Sequence, residues 1–248
     1  MSAREEILQR VRAGLGKGDA VARRAATEAT MQARERGPQP VMAKDLAERF
    51  ARKALALASS VERVASTAEV PAAVARYLAE HGLPPQAVAT GDVAGFDWAN
   101  AGIDISQSVA PQGHFLRGAV DADKVGISGC FCAIAETGTL LLFSGPLTPA
   151  SVSLLPETHI AIVPVARIVA TMEDAFALLR AEGGDLPRAV NFISGPSRTG
   201  DIEQTIVLGA HGPCRVHLLI IETPCLKNPE KCPCLNKPSK ISTPTCAT

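Results

Sequence analysis

Apolar residues recur at helical spacing at the start of the chain, where Ile7, Leu8, Val11 and Leu15 fall on one face. Gly14, Gly16 and Gly18 are placed to end that helix. Residues 19–40 are rich in Ala and Arg and close on Gly37-Pro38-Gln39-Pro40, which predicts a mobile linker. From Lys44 the pattern changes. A helical stretch, Lys44–Ala58, leads into a short strand, Val61–Ala65. A second helix, Val70–His81, has Pro71 in its first turn and Gly82 at its end, and the strand Ala87–Thr90 follows.

Val125–Ser128, Cys132–Ala135, Leu140–Phe143, His159–Val163, Ala189–Ile193 and Val216–Ile221 also read as strands. Met172–Arg180 reads as an amphipathic helix closed by Gly183-Gly184. Strands alternating with helices predict an α/β fold, a Rossmann-like, mostly parallel sheet flanked by helices, preceded by an N-terminal helical arm. Most of these strands are continuous apolar runs without clean alternation, which suits a sheet covered on both faces. Three parts are expected: an arm and linker over 1–41, the α/β domain over 42–221, and a tail over 222–248. The tail holds five Pro, four Lys and four Cys with little apolar periodicity, and reads as disordered.

Composition narrows the function. The 248 residues carry 25 basic and 25 acidic side chains. With one Trp, one Tyr and seven Phe, the balanced charge argues against a nucleic-acid binder. The charge is unevenly spread: residues 1–53 carry a net +5, residues 54–221 a net −7 and residues 222–248 a net +2. A basic arm thus precedes an acidic body and is a candidate contact element. No run approaches the roughly 18–20 apolar residues of a membrane span. The N-terminus has no apolar core of a secretory signal, and the seven cysteines form no disulfide pattern. Together these make a cytoplasmic protein the expectation.

Candidate chemistry gathers in four polar segments. In Ala133–Thr139, Glu136 lies between apolar runs at a strand end, with Gly138 as hinge. In open α/β sheets ligands bind beyond the carboxyl ends of strands, so Glu136 is a candidate nucleophile or general base, flanked by Thr137 and Thr139. In Ser151–His159, Glu157 and His159 are two apart and share a face of an extended chain. The pair could hold a metal or orient a proton donor. In Gly195–Glu203, a strand followed by a Gly/Ser/Thr turn and a helix start would make an anion site, with Ser197 and Thr199 as caps or donors and Arg198 as a carboxylate clamp. Asp201 would lie in the first helical turn. In Gly209–Pro213, His211 between two glycines is an acid–base candidate. Cys130 and Cys132 have no zinc or redox spacing and read as buried thiols, and Cys225, Cys232, Cys234 and Cys246 match no cluster spacing.

"IAETGTLLL", "SLLPETHIAIVP", "GPSRTGDIE" and "GAHGP", in that order, resemble the LUD-domain family, and within it the short lactate-utilisation members without an iron–sulfur domain. The resemblance covers roughly residues 42–221. It implies a fold similar to the NagB/RpiA/CoA-transferase group. It also implies a part in oxidising L-lactate to pyruvate with two iron–sulfur companion proteins, the clusters lying on those partners and no cofactor or metal on this chain. In that reading Arg198, Ser197 and Thr199 take the carboxylate of a 2-hydroxy acid, and Glu136 or His211 takes its hydroxyl proton. Two alternatives stand beside it. One is a stand-alone enzyme handling acyl-CoA through Glu136 or a sugar phosphate through Arg198, though no dinucleotide or P-loop fingerprint is present. The other is a scaffold without chemistry.

Overall fold

The computed structural model describes residues 2–15, 19–107, 124–182, 186–202 and 205–223. Two compact units divide between Gln39 and Pro40. The first holds helix α1 (Ala3–Leu15) and helix α2 (Ala20–Ala33). Asp19 caps α2 by accepting from the Val21 N–H at 2.9 Å, so residues 20–33 form a helix and not the expected linker. Ala is the strongest helix former, and six of the fourteen residues of α2 are Ala.

The second unit begins with α3 (Leu46–Ala56), where the Asp45 carboxylate accepts from the Glu48 N–H at 2.9 Å. Ala47, Phe50, Ala51 and Ala54 form its buried stripe, at the spacing of one helical face. Strand β1 (Ser60–Val64), helix α4 (Val70–Glu80) and strands β2 (Gln86–Ala89) and β3 (Asp104–Gln107) follow. Then come β4 (Val125–Ser128), β5 (Cys132–Ile134), β6 (Thr139–Phe143), the single turn α5 (Ser151–Leu154), β7 (Thr158–Pro164) and β8 (Ile168–Val169). Helix α6 (Met172–Glu182) and strands β9 (Val190–Ile193), β10 (Arg198–Ile202), β11 (Thr205–Leu208) and β12 (Arg215–Ile221) complete it.

Six strands form one sheet in the order β1-β12-β7-β4-β2-β3, and every described pairing in it is parallel. The expected α/β sheet is therefore present. One expectation needs correction. Cys132–Ala135, Leu140–Phe143 and Ala189–Ile193 do not join this sheet. They form a second, four-stranded sheet in the order β8-β5-β6-β9, with antiparallel β5·β6 and β6·β9 pairs. The first two of these runs are buried and apolar like the strands of the large sheet, so hydrophobicity alone does not separate one sheet from the other.

Each face of the large sheet has its own core. Val125, Ile127, Ile160, Ile162, Leu219 and Ile221 pack under α4 residues such as Val74 and Leu78. On the other face Ala161, Val163, Val216, Leu218 and Ile220 meet Phe50 of α3 and Ala133, Leu140 and Leu142 of the second sheet. That double cover explains the unbroken apolar strands. Among the described residues no helix is long and apolar enough to cross a membrane.

Candidate functional site

The four polar segments converge, and glycine makes the convergence possible. Gly138 closes the β5–β6 turn at φ +73°, where a Cβ would lie 2.6 Å from the Ala54 nitrogen in the last turn of α3. Gly195, at φ +83°, sits where a Cβ would strike the Leu57 carbonyl just beyond the same helix. Both turns thus rest on one helix end. The Thr137 hydroxyl donates to Thr139 Oγ1 at 2.7 Å, and Thr139 Oγ1 lies 2.7 Å from Ser194 Oγ, joining the two turns. Glu136 is half-buried, with its N–H bonded to the Ala170 carbonyl at 3.0 Å. Arg198 directs Nη2 at the Leu57 carbonyl, 3.5 Å away, where a cation suits the negative end of a helix.

The other two segments join through Ser197. Its N–H donates to the Pro213 carbonyl at 2.8 Å, and its carbonyl accepts from Gly209 at 3.0 Å. His211 lies exposed on the turn between these partners. Cys214 donates its N–H to the Glu157 carbonyl at 2.9 Å. The cluster borders the amino-terminal ends of β1, β7 and β12, the end opposite to the one expected for a ligand in a parallel sheet. Glu136 does follow the carboxyl end of a strand, β5, but that strand belongs to the smaller sheet.

Two local expectations are overturned. No helix follows Ser197. Arg198–Ile202 and Thr205–Leu208 pair as the antiparallel strands β10 and β11, with Arg198 opposite Leu208 and Thr199 opposite Val207. Ser197 and Thr199 are therefore not helix caps, Asp201 lies within β10, and no helix N-terminus offers an anion site there. Thr199 and Val207 sit among β-branched residues, which favour extended chain over helix.

Glu157 and His159 also part company. Glu157 is exposed just before β7, 2.6 Å from Lys124 Nζ and 3.9 Å from Arg215 Nη2. The Lys124 hydrogen bond and charge, aided by Arg215, hold its carboxyl below the usual range. His159 is fully buried, with Nε2 2.8 Å from Ser128 Oγ and Nδ1 without a partner. Burial pushes its imidazole down to about 4, so it is neutral at pH 7. Among the described residues no three His, Cys, Asp or Glu side chains form a metal cluster. Cys130 and Cys132 are buried thiols, as their spacing suggested.

The carboxyl-terminal end of the large sheet holds a different constellation. The chain passes from β2 outward to β3, whereas β4 lies on the opposite side of β2, so the strand order reverses between β2 and β4. Thr90, Gly91 and Asp92 follow β2 there, and Gly129 and Cys130 follow β4. A Cβ on Gly129 would lie 2.2 Å from Asp92 Oδ2, so a side chain there would displace this carboxyl. Asp92 Oδ1 is buried without a hydrogen-bond partner. Burial pushes this carboxyl above the usual range, against the pull of the Thr90 hydroxyl and nearby backbone N–H groups, Gly129 and Val93 among them.

Residues 47–221 match the LUD domain. This chain belongs to the LUD-domain family. Curated relatives named Lactate utilization protein C are 36% identical in Bacillus licheniformis and 38% identical in Bacillus subtilis, each over 128 residues, 50% of this chain and 53% of the relative. Lactate utilization protein C 1 of Bacillus mycoides is 43% identical over 104 residues, 41% of this chain and 44% of the relative. The chain thus spans about half the length of the curated relatives it matches. A crystal structure of a DUF162 family protein from Deinococcus radiodurans superposes with a TM-score of 0.52 at 22% identity, over 74% of this chain and 100% of that one. The shared fold is a mostly parallel sheet flanked by helices.

In this LUD-domain chain the predicted residues Glu136, Thr137, Gly138, Thr139, Ser197, Arg198 and His211 lie in or beside one cluster, with Glu157 at its margin. His159 stands apart, inside the core. Sequence reasoning passed over Asp92 and Gly129. The available signal was Gly91-Asp92 directly after a predicted strand, the position where open α/β sheets place ligand-binding loops.

Proposed function

We propose that this chain is a subunit of an L-lactate oxidation system, working with two iron–sulfur companion proteins in the cytoplasm. The observation that carries this reading is the 36–43% identity to relatives named Lactate utilization protein C. In the overall reaction L-lactate loses two electrons and two protons to become pyruvate, and the electrons leave through clusters on the companion chains. No cofactor is assigned to this chain. The helix start after Ser197, expected to help hold either a carboxylate or a sugar phosphate, is replaced by the β10–β11 hairpin, and Arg198 is the candidate clamp that is left.

The test is L-lactate-dependent dye reduction by the purified chain, alone and mixed with two iron–sulfur companions whose clusters are intact. Turnover is expected only in the mixture. Silence of the intact mixture rejects the reading. In the same assay Arg198→Ala decides whether the motif cluster meets the substrate carboxylate. A drop of about tenfold or more is expected from losing a charged hydrogen bond, and unchanged turnover removes Arg198 from the substrate.

A further inference from the structure

We infer that Ser194 binds the substrate carboxylate beside Arg198, as the donor end of a three-hydroxyl relay that runs from Thr137 through Thr139. The inference rests on the lactate reading for the identity of the acid, and it adds to that site a residue the sequence motifs did not mark.

Proton counting gives the relay its direction. Each hydroxyl has one proton to donate. The Thr137 hydroxyl donates to Thr139 Oγ1 at 2.7 Å, so the Thr139 proton is left for Ser194 Oγ, also at 2.7 Å. Thr139 is 3% exposed, and turning its proton elsewhere would leave a buried donor unmet. Ser194 therefore accepts from Thr139 and keeps its own proton for another acceptor. Among the described residues none takes that proton. A hydroxyl that already accepts a hydrogen bond is the better donor, because the two bonds polarise one another. The ends of the relay, Thr137 and Ser194, are exposed, while its middle is buried. A small acid can reach Ser194 without opening the core.

The backbone fixes where this donor stands. Ser194 directly follows β9, and the next residue, Gly195, holds φ +83° where a Cβ would lie 2.4 Å from the Leu57 carbonyl oxygen. Arg198 reaches the same carbonyl with Nη2 at 3.5 Å. Ser194 and Arg198 are thus drawn to one point beyond the end of α3. The Arg198 contact is long for a hydrogen bond, so the guanidinium gives up little by turning to an anion. A carboxylate has two oxygens, of which the guanidinium takes one and the Ser194 hydroxyl the other. Glu136, next to Thr137 at the far end of the relay, is left for the hydroxyl proton of the acid. Thr139 touches no ligand and acts through Ser194, as a positioning residue.

The test is calorimetric titration with L-lactate of the full chain assembled with its two iron–sulfur companions. The clusters are reduced beforehand, so that the acid binds without being oxidised. Saturable binding is expected. Ser194→Ala should weaken it about tenfold, the effect of one hydrogen bond to a charged group. Ser194→Thr, which keeps the hydroxyl, should bind like the wild type. Thermal melts confirm that each variant is folded.

A relay that only pins two turns together would lower the melting temperature of Ser194→Ala and leave its affinity unchanged, and that result overturns the inference. Absence of saturable L-lactate binding by the wild-type assembly overturns it as well. The oxidation is judged separately, by dye reduction in the assembled system. Turnover with unchanged affinity in Ser194→Ala refutes the role of Ser194 alone. Binding that Ser194→Ala weakens, without any turnover, refutes the oxidation alone.

Discussion

His159 and His217 are buried imidazoles on opposite faces of the large sheet, and neither has its full set of partners. Each has one ring nitrogen bonded to a serine, His159 to Ser128 and His217 to Ser60 at 2.8 Å, and one without a hydrogen bond, although His217 Nε2 lies 4.0 Å from Glu62 Oε2. The His217 ring stacks on Tyr77, which stacks in turn on His81. Burial pushes both imidazoles down to about 4, and the His81 charge adds to the effect at His217. In the unfolded chain they protonate near the ordinary value of about 6.5. Above that pH neither state binds the extra protons, and these two groups leave stability unchanged. As pH falls from about 6.5 to 4 the unfolded state takes up protons that the folded state refuses, so stability is lost, by up to roughly 3 kcal/mol for each imidazole. Urea unfolding at steps across this window should show the decline, and His159→Gln should flatten part of it; an unaltered slope would remove His159 as a source.

The thiols differ in exposure. Burial pushes Cys132 up to about 12, whereas Cys214 is half-buried. A thiol-reactive dye followed by peptide mapping should therefore modify Cys214 well before Cys132. The Glu136 and His211 positions were legible because Gly, Thr and Pro around a lone titratable group mark a turn. Asp92 was not, because the value of that carboxyl depends on Gly129, thirty-seven residues away, having no side chain.

Among the helices and strands, α3 does the most to bring the motif segments together. Its buried face packs on the core, and its last turn receives Gly138, while Gly195 and Arg198 rest on Leu57 just beyond it. Gly138→Ala should destabilise the chain by about 2 kcal/mol or more, because Ala resists φ +73° and its methyl would press on the α3 backbone. Chemical denaturation measures the loss, and a wild-type midpoint would mean that the turn tolerates a side chain. Most elements were readable from periodicity, including α3, α4, β4 and β12. The hairpin β10–β11 was not, since its Gly- and Thr-rich start reads equally well as a helix cap, and strand pairing chose between them. The helix α2 was missed because Gly and Pro at its far end suggested a linker, although its Ala-rich body favours a helix.

Taken as one object, the chain is a short arm unit followed by a two-sheet α/β unit, and the lactate reading expects it to be silent alone and active with cluster-bearing partners. The two polar constellations lie at opposite ends of the large sheet, one at the strands' amino ends and one at their carboxyl ends. Local pattern was enough to establish the α/β class, the position of most strands, the buried cysteines and the family motifs, because each depends on neighbours within a few residues. Which strands share a sheet, that the motif segments meet on the end of α3, that Glu157 turns to Lys124 and away from His159, and that Asp92 stands at the reversal of strand order were decided only by the folded chain. Those features depend on contacts between residues far apart in sequence, and apolar strands of equal length carry no local mark of the partner they will pair with.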